Sequence, residues 1–163
     1  MVTPSIAQIA AALRSELYAL LVGDEGVELV PETSGFSPDV SKIVFLQAFR
    51  PSSSESVELS GRLGLARRHG VYMVTISAPW GDPAKTAQAQ SWAEDVCNAF
   101  RRKTFETDEG DVYTGEPNIL MGSVQVDVFA TGGLSSKVTG KDPDERYAIS
   151  ISVPWTTWTG GVE

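Results

Sequence analysis

Between Val71 and Ala78 the chain reads V-Y-M-V-T-I-S-A, a run rich in β-branched and aromatic residues that predicts a strand. Tyr72, Val74, Ile76 and Ala78 fall on one face, and Val71, Met73, Thr75 and Ser77 on the other. Pro79 to Pro83 breaks this pattern. Asp82 then offers a carboxylate to the free N–H groups of a helix start. Pro83 fits the first helical position, where no N–H is needed. Ala89, Trp92, Ala93, Val96 and Phe100 recur at steps of three and four and share one helix face. Lys85, Gln88, Ser91, Glu94, Asp95, Asn98 and Arg102 take the rest, and Arg101, Arg102 and Lys103 set positive charge at the negative end of the helix dipole. This strand–turn–helix unit must bury its apolar side against the remainder of the chain.

The same patterning organises the flanks. Thr3-Pro4 reads as a cap followed by Pro, and Ile6, Ile9, Leu13, Leu17, Leu20 and Leu21 form an apolar stripe, which predicts a helix from about Pro4 to Val22 stopped by Gly23. Gly23–Lys42 reads as an irregular connection. Ile43–Phe49 is apolar on both faces except for Gln47 and predicts a central or doubly covered strand. Arg50–Gly70 is long for a link between strands. It reads as a functional or mobile loop, or as a hairpin arm. Thr104–Gly110 reads as a polar, acidic turn and Val112–Thr114 as a short edge strand. Ile119–Ala130 predicts a strand with one wet face, Thr131–Arg146 a second long polar connection, and Tyr147–Val153 a half-buried strand ended by Pro154. The expected architecture is α+β, an antiparallel or mixed β-sheet with two α-helices packed on one face and long hairpin loops.

Composition narrows the picture. The 163 residues are expected to form one domain, 1–163, able to bury a core without disulfides or metal. No apolar run approaches the roughly 20 residues needed to span a bilayer, and no secretory leader is visible. Cys97 is the sole cysteine, which excludes an internal disulfide and fits a reducing compartment. The net charge of −8 argues against a protein whose task is gripping nucleic-acid phosphates.

Candidate chemistry is sparse. His69, the sole histidine, builds no multi-histidine metal site. It reads as a loop histidine beside Arg67 and Arg68, with a general base paired to a serine as the sharper alternative. Cys97 reads as a buried inert thiol. The acidic clusters Asp108, Glu109, Asp111 and Asp142, Asp144, Glu145 lack the alternation of a calcium loop and read as solvated charge. Gly140-Lys141 fails as a phosphate loop, because Ser135 and Asp142 stand where that motif needs Gly and Ser or Thr. Neither a catalytic nor a metal or cofactor site is expected. Trp92 reads as core, whereas Trp80, Trp155 and Trp158 either close the ends of the core or present aromatic surface to a partner.

The run R-R-H-G-V-Y-M-V-T-I-S-A-P-W-G-D-P-A-K-T-A, the helix ending C-N-A-F-R-R-K, and V-Y-T-G-E-P before two late strands resemble the tail terminator proteins of long-tailed bacteriophages. The positions that carry the likeness are Gly70, Val71 to Ala78, Pro79, Gly81, Ala84, Ala87 and Phe100. The chain departs from that pattern at Asp82-Pro83 and in its long Arg50–Gly70 segment.

The resemblance implies a virion assembly protein and not an enzyme. Such proteins form a homo-oligomeric ring, typically a hexamer, at the head-proximal end of the tail. The ring caps the tail tube protein, stops its polymerisation and meets the head–tail connector, while DNA passes through the lumen unbound. Assembly takes place in the host cytoplasm, with no membrane. A ring needs a heterologous interface. Arg50–Gly70 and Thr131–Arg146 are expected to reach neighbours. Arg62, Arg67 and Arg68 are expected to pair with a neighbour's acidic loops, and Trp80, Trp155 and Trp158 are the aromatic candidates. The rival readings are another neck or tail-completion protein, a small hydrolase using His69, and a small-ligand binding domain.

Overall fold

A computed structural model of the chain describes residues 4–30, 41–52, 55–56, 66–79, 81–126 and 145–159. Helix α1 spans Ile6–Leu21. Its cap is Ser5 rather than the expected Thr3, and Pro4 lies outside the helix. Ser5 Oγ accepts from Gln8 N–H at 3.2 Å, while Ser5 N–H donates to Gln8 Oε1 at 2.8 Å. This reciprocal box satisfies two orphan donors at once, which a lone Thr before proline does not do. Gly23 follows the helix with φ +87°, the left-handed geometry that stops a helix without a Cβ penalty. Helix α2 spans Pro83–Phe100, and Asp82 caps it as expected, its carboxylate accepting from Lys85 N–H at 3.1 Å.

The strands are β1 Val27–Leu29, β2 Ile43–Pro51, β3 Glu55–Ser56, β4 Ala66–Pro79, β5 Thr104–Thr107, β6 Gly110–Thr114, β7 Asn118–Val126 and β8 Glu145–Thr159. The sheet runs β1-β2-β4-β8-β6-β5, with β3 also on β4 and β7 also on β8. It is mixed, because β1 lies parallel to β2 and every other pairing is antiparallel. The fold is α+β, with both helices packed on one sheet face.

Several boundaries differ from the sequence reading. Residues 27–29, expected to be irregular, add β1 to β2. The acidic turn shrinks to Asp108 and Glu109, and the residues before it form β5. Strand β6 is therefore internal and β5 is the edge. Strand β4 starts at Ala66, so Arg67, Arg68 and His69 are strand residues and not part of a loop. The hairpin-arm alternative for 50–70 is supported at its base, where Glu55 pairs with Arg67 and Ser56 with Ala66. Residues 57–65 and 127–144, and with them Gly140-Lys141, Asp142 and Asp144, lie outside the described residues.

Pro154 does not end β8. In an antiparallel ladder one residue's N–H and C=O point to the same neighbour. Pro154 O accepts from Gly115 N–H at 2.8 Å, so its missing N–H also points toward that side. There β7 pairing has stopped at Asn118↔Ser152 and β6 pairing starts at Thr114↔Trp155. The proline sits in the gap between two half-strands, and no ladder bond is lost.

The core joins Ile9, Leu13 and Leu17 of α1 and Val96, Cys97 and Phe100 of α2 to Phe45, Tyr72, Val74, Ile149 and Ile151 of the sheet. Trp92 is half-buried and meets Phe45 edge-on at 5.6 Å. Gln47, the lone polar residue in β2, accepts from Tyr72 OH at 2.6 Å. Arg146, expected at the end of a polar connection, is buried within β8. Its Nε donates to Ser77 Oγ at 2.6 Å, and one Nη donates to Lys42 O at 2.9 Å and Ser77 O at 3.1 Å. A buried guanidinium is tolerated because its donors find oxygen.

Gly70 stands opposite Trp155 in the ladder. A Cβ there would lie 2.5 Å from Trp155 Cζ2 and 2.5 Å from Arg50 O. Backbone cannot yield cheaply, so Gly70→Ala is expected to cost about 1–3 kcal/mol through overpacking. Urea denaturation followed by tryptophan fluorescence measures this, and an unchanged midpoint would contradict it.

Candidate interaction surface

The parity of the ladder sorts every strand side chain onto one of two faces. Tyr72, Val74 and Ile76 face the helices, paired with Val153, Ile151 and Ile149. The opposite face carries the pairs Thr75–Ser150, Met73–Ser152, Val71–Pro154, His69–Thr156 and Arg67–Trp158. The Thr75 and Ser150 hydroxyls meet there at 3.3 Å. The character of this outer face changes along the strands. Val44, Ser77, Arg146 and Ala148 are buried at one end. Leu46, Ala48, Val71 and Met73 are half-buried in the middle, and Arg50, Tyr113 and Trp158 are exposed at the other end.

The exposed end brings some predicted residues together and separates others. Arg67 and Trp158 meet, with the guanidinium carbon 5.9 Å from the ring centroid. Such a contact is worth roughly 0.5–1 kcal/mol at an exposed site. Arg68 points the other way, and its Nη1 donates to Pro4 O at 3.1 Å, tying β4 to the entry of α1. One of its donors is therefore engaged within its own chain. Arg62 and Trp80 lie outside the described residues. Trp155 corrects the expectation of a residue near solvent. Because β8 continues through Pro154, Trp155 falls on the helix side, 1% exposed and stacked on Phe49 at 5.2 Å and 10°. Trp158, three residues on, falls on the outer face and is 40% exposed.

Sequence reasoning missed Arg50, Tyr113, Asp111 and Glu106 as members of this surface. Tyr113 pairs with Thr156, and Glu106 with Asp111, so all three carry the outer face onto β6 and β5. The signal was present in the alternation of 110–114, where Val112 and Thr114 are buried and Asp111 and Tyr113 are exposed.

The other candidates keep structural roles. His69 is partly buried; its Nδ1 has no hydrogen-bond partner among the described residues, and its carbonyl accepts from Ser52 N–H at 2.8 Å. Arg67 Nε and Trp155 Nε1 are also buried without partners among the described residues. Cys97 is buried, and that burial raises its thiol pKa against the opposing pull of Arg101, with Glu116 and Glu94 adding to the rise. Among the described residues no group of acidic, histidine or cysteine side chains is placed to hold a metal. Arg101, the cap of α2, bonds Glu116 at 2.8 Å. An open depression of about 540 Å³ lies beside the start of α2. Its Asp82 is spent on the helix cap, and its Gln90 donates to Tyr147 OH at 3.3 Å.

No protein-family model matches the chain, and no curated protein sequence does. Eleven chains of solved structures resemble it. One of them superposes with a TM-score of 0.64 over 98% of this chain and 99% of its own length, at 15% sequence identity. At that identity the likeness shows the fold alone. It spans all the elements described above, from α1 to β8.

Two expectations follow. Trp155→Ala should cost about 3–5 kcal/mol, whereas Trp158→Ala should cost about 1 kcal/mol or less. Thermal melts of the two variants compare them, and equal losses would contradict the opposite facing of the two rings. Cys97 should react with an aromatic disulfide reagent far more slowly in the folded protein than in urea, because burial removes both access and thiolate. Equal rates at mildly alkaline pH would contradict it.

Proposed function

We propose that the chain is a virion assembly protein of the tail-terminator kind, acting by shape and contact without catalysis. In this reading, copies close into a ring, typically a hexamer, that caps the tail tube, ends its polymerisation and offers a surface to the head–tail connector. DNA passes through the lumen, where the net charge of −8 avoids trapping it. The protein's place is the head-proximal end of the tail in the virion.

One observation carries the reading. Strands β4 and β8 pair without interruption from Pro79↔Arg146 to Ala66↔Thr159, four pairs beyond the core contact of Gly70 with Trp155. That extension, with β3 added to it, is an arm built from a stiff ladder. It displays Arg67 and Trp158 on a face that the helices leave uncovered. Arginine and tryptophan are enriched where protein partners dock. The α+β element order is also the one that the resemblance implies.

The purified protein is expected to give a native mass that is a multiple of the monomer, and annular particles in negative stain. It should bind tail tube protein. Capture of a head connector without any tube binding would favour another neck or tail-completion protein. A lone monomer at the highest attainable concentration, with tubes offered and ignored, would overturn the reading.

A further inference from the structure

The outer face at the exposed end of the sheet is electrically divided. On the β2–β4 side stand Arg50 and Arg67, with Glu55 opposite Arg67 in the ladder. On the β6–β5 side stand Asp111 and Glu106, opposite one another, at the base of the hairpin that turns at Asp108 and Glu109. Neither arginine makes an ion pair among the described residues, and neither do Glu106, Asp108, Glu109 and Asp111. Two strand spacings separate Arg67 on β4 from Asp111 on β6, about 10 Å, and three separate β4 from Glu106 on β5, about 14 Å. Both exceed the Debye length of about 8 Å at physiological salt, so the two sides are largely screened from each other within one chain. Trp158 and Tyr113 lie between them, exposed.

We infer that this surface is a self-complementary head-to-tail joint: Arg50 and Arg67 of one copy meet Glu106, Asp111 and the hairpin acids of the next copy. A second copy fits this surface better than an unrelated acidic partner does, because the complement is already present on the same chain, at the opposite margin of the same sheet end. Unlike patches on opposite margins generate a heterologous contact, which closes into a ring or continues as a filament. The exposed aromatic rings between them supply apolar area where charge sets register. This inference rests on the ring reading and specifies which surfaces would join.

A charge-reversal exchange tests it. One variant carries Arg50→Glu and Arg67→Glu. The other carries Glu106→Lys and Asp111→Lys. Each alone places like charges across the joint, so sedimentation should show self-association weakened at least about tenfold at low salt. Mixed in equal amounts, the two present opposite charges at both kinds of contact, and assembly should return. Raising salt should weaken the wild-type joint. Circular dichroism checks that each variant folds. Should the Arg67 substitution unfold the chain, Arg50→Glu alone, at an exposed position, replaces that variant. Variants that assemble like wild type, or a mixture that fails to recover, would overturn the inference while leaving the ring reading standing. Wild-type protein that stays monomeric would overturn both. Binding of the wild-type protein to duplex DNA in place of self-association, lost in the Arg50→Glu, Arg67→Glu variant, would identify the patch as a nucleic-acid surface and would likewise overturn it.

Discussion

The antiparallel ladder between β4 and β8 holds Ala66 opposite Thr159 and Pro79 opposite Arg146, and the rest of the fold depends on that register. Side chains alternate across a strand, so a slip of one residue would turn Tyr72, Val74 and Ile76 out to solvent. It would bring Met73 and Thr75 under the helices. Every other element joins one side of this pair: β2 and β3 attach to β4, and β6 and β7 attach to β8. The two helices then close over the more apolar of the sheet's faces, where Phe100 packs near both Tyr72 and Phe105.

Two residues that usually weaken sheets sit within or beside this ladder without interrupting it. Gly70 leaves room for the Trp155 ring, whose stacking on Phe49 extends the core toward the exposed end. Pro154 falls where the neighbouring strand changes from β7 to β6. Together they let one strand of 15 residues serve two partners in succession. A shorter strand would have stopped at the core. The length that remains lifts Arg67 and Trp158 onto a surface that no helix covers.

In the proposed reading that surface serves contact. The titratable groups near it are spread along strand faces, and His69 is bonded through its backbone to the chain beside it. It combines exposed rings, which supply apolar area, with separated charges, which set register wherever two proteins meet. The likeness to a solved structure covers 98% of this chain and concerns the fold alone.

Local chemistry was legible from the residues. Asp82-Pro83 announced the start of α2, Gly23 the end of α1, and the spacing from Ala89 to Phe100 the buried helix face, each because its cause acts within one or two turns of chain. The α+β class followed from the order of those elements. Most misreadings came from causes that lie far apart in sequence, although the first is local. Ser5 displaced Thr3 as the cap because Gln8 answered it. Pro154 was read as a stop because its missing N–H matters only once its lateral neighbour is known. Trp155 and Trp158 look alike in the sequence, yet an uninterrupted strand sends one into the core and the other to solvent. Arg67 and Arg68 part company for the same reason. Local preference along the chain marked both helices and the longer strands, though not β1 or β5, and showed how much apolar surface needed cover. Tertiary structure alone decided which strands became neighbours, and therefore which side chains share a face, because pairing between distant segments is set by packing and not by local preference.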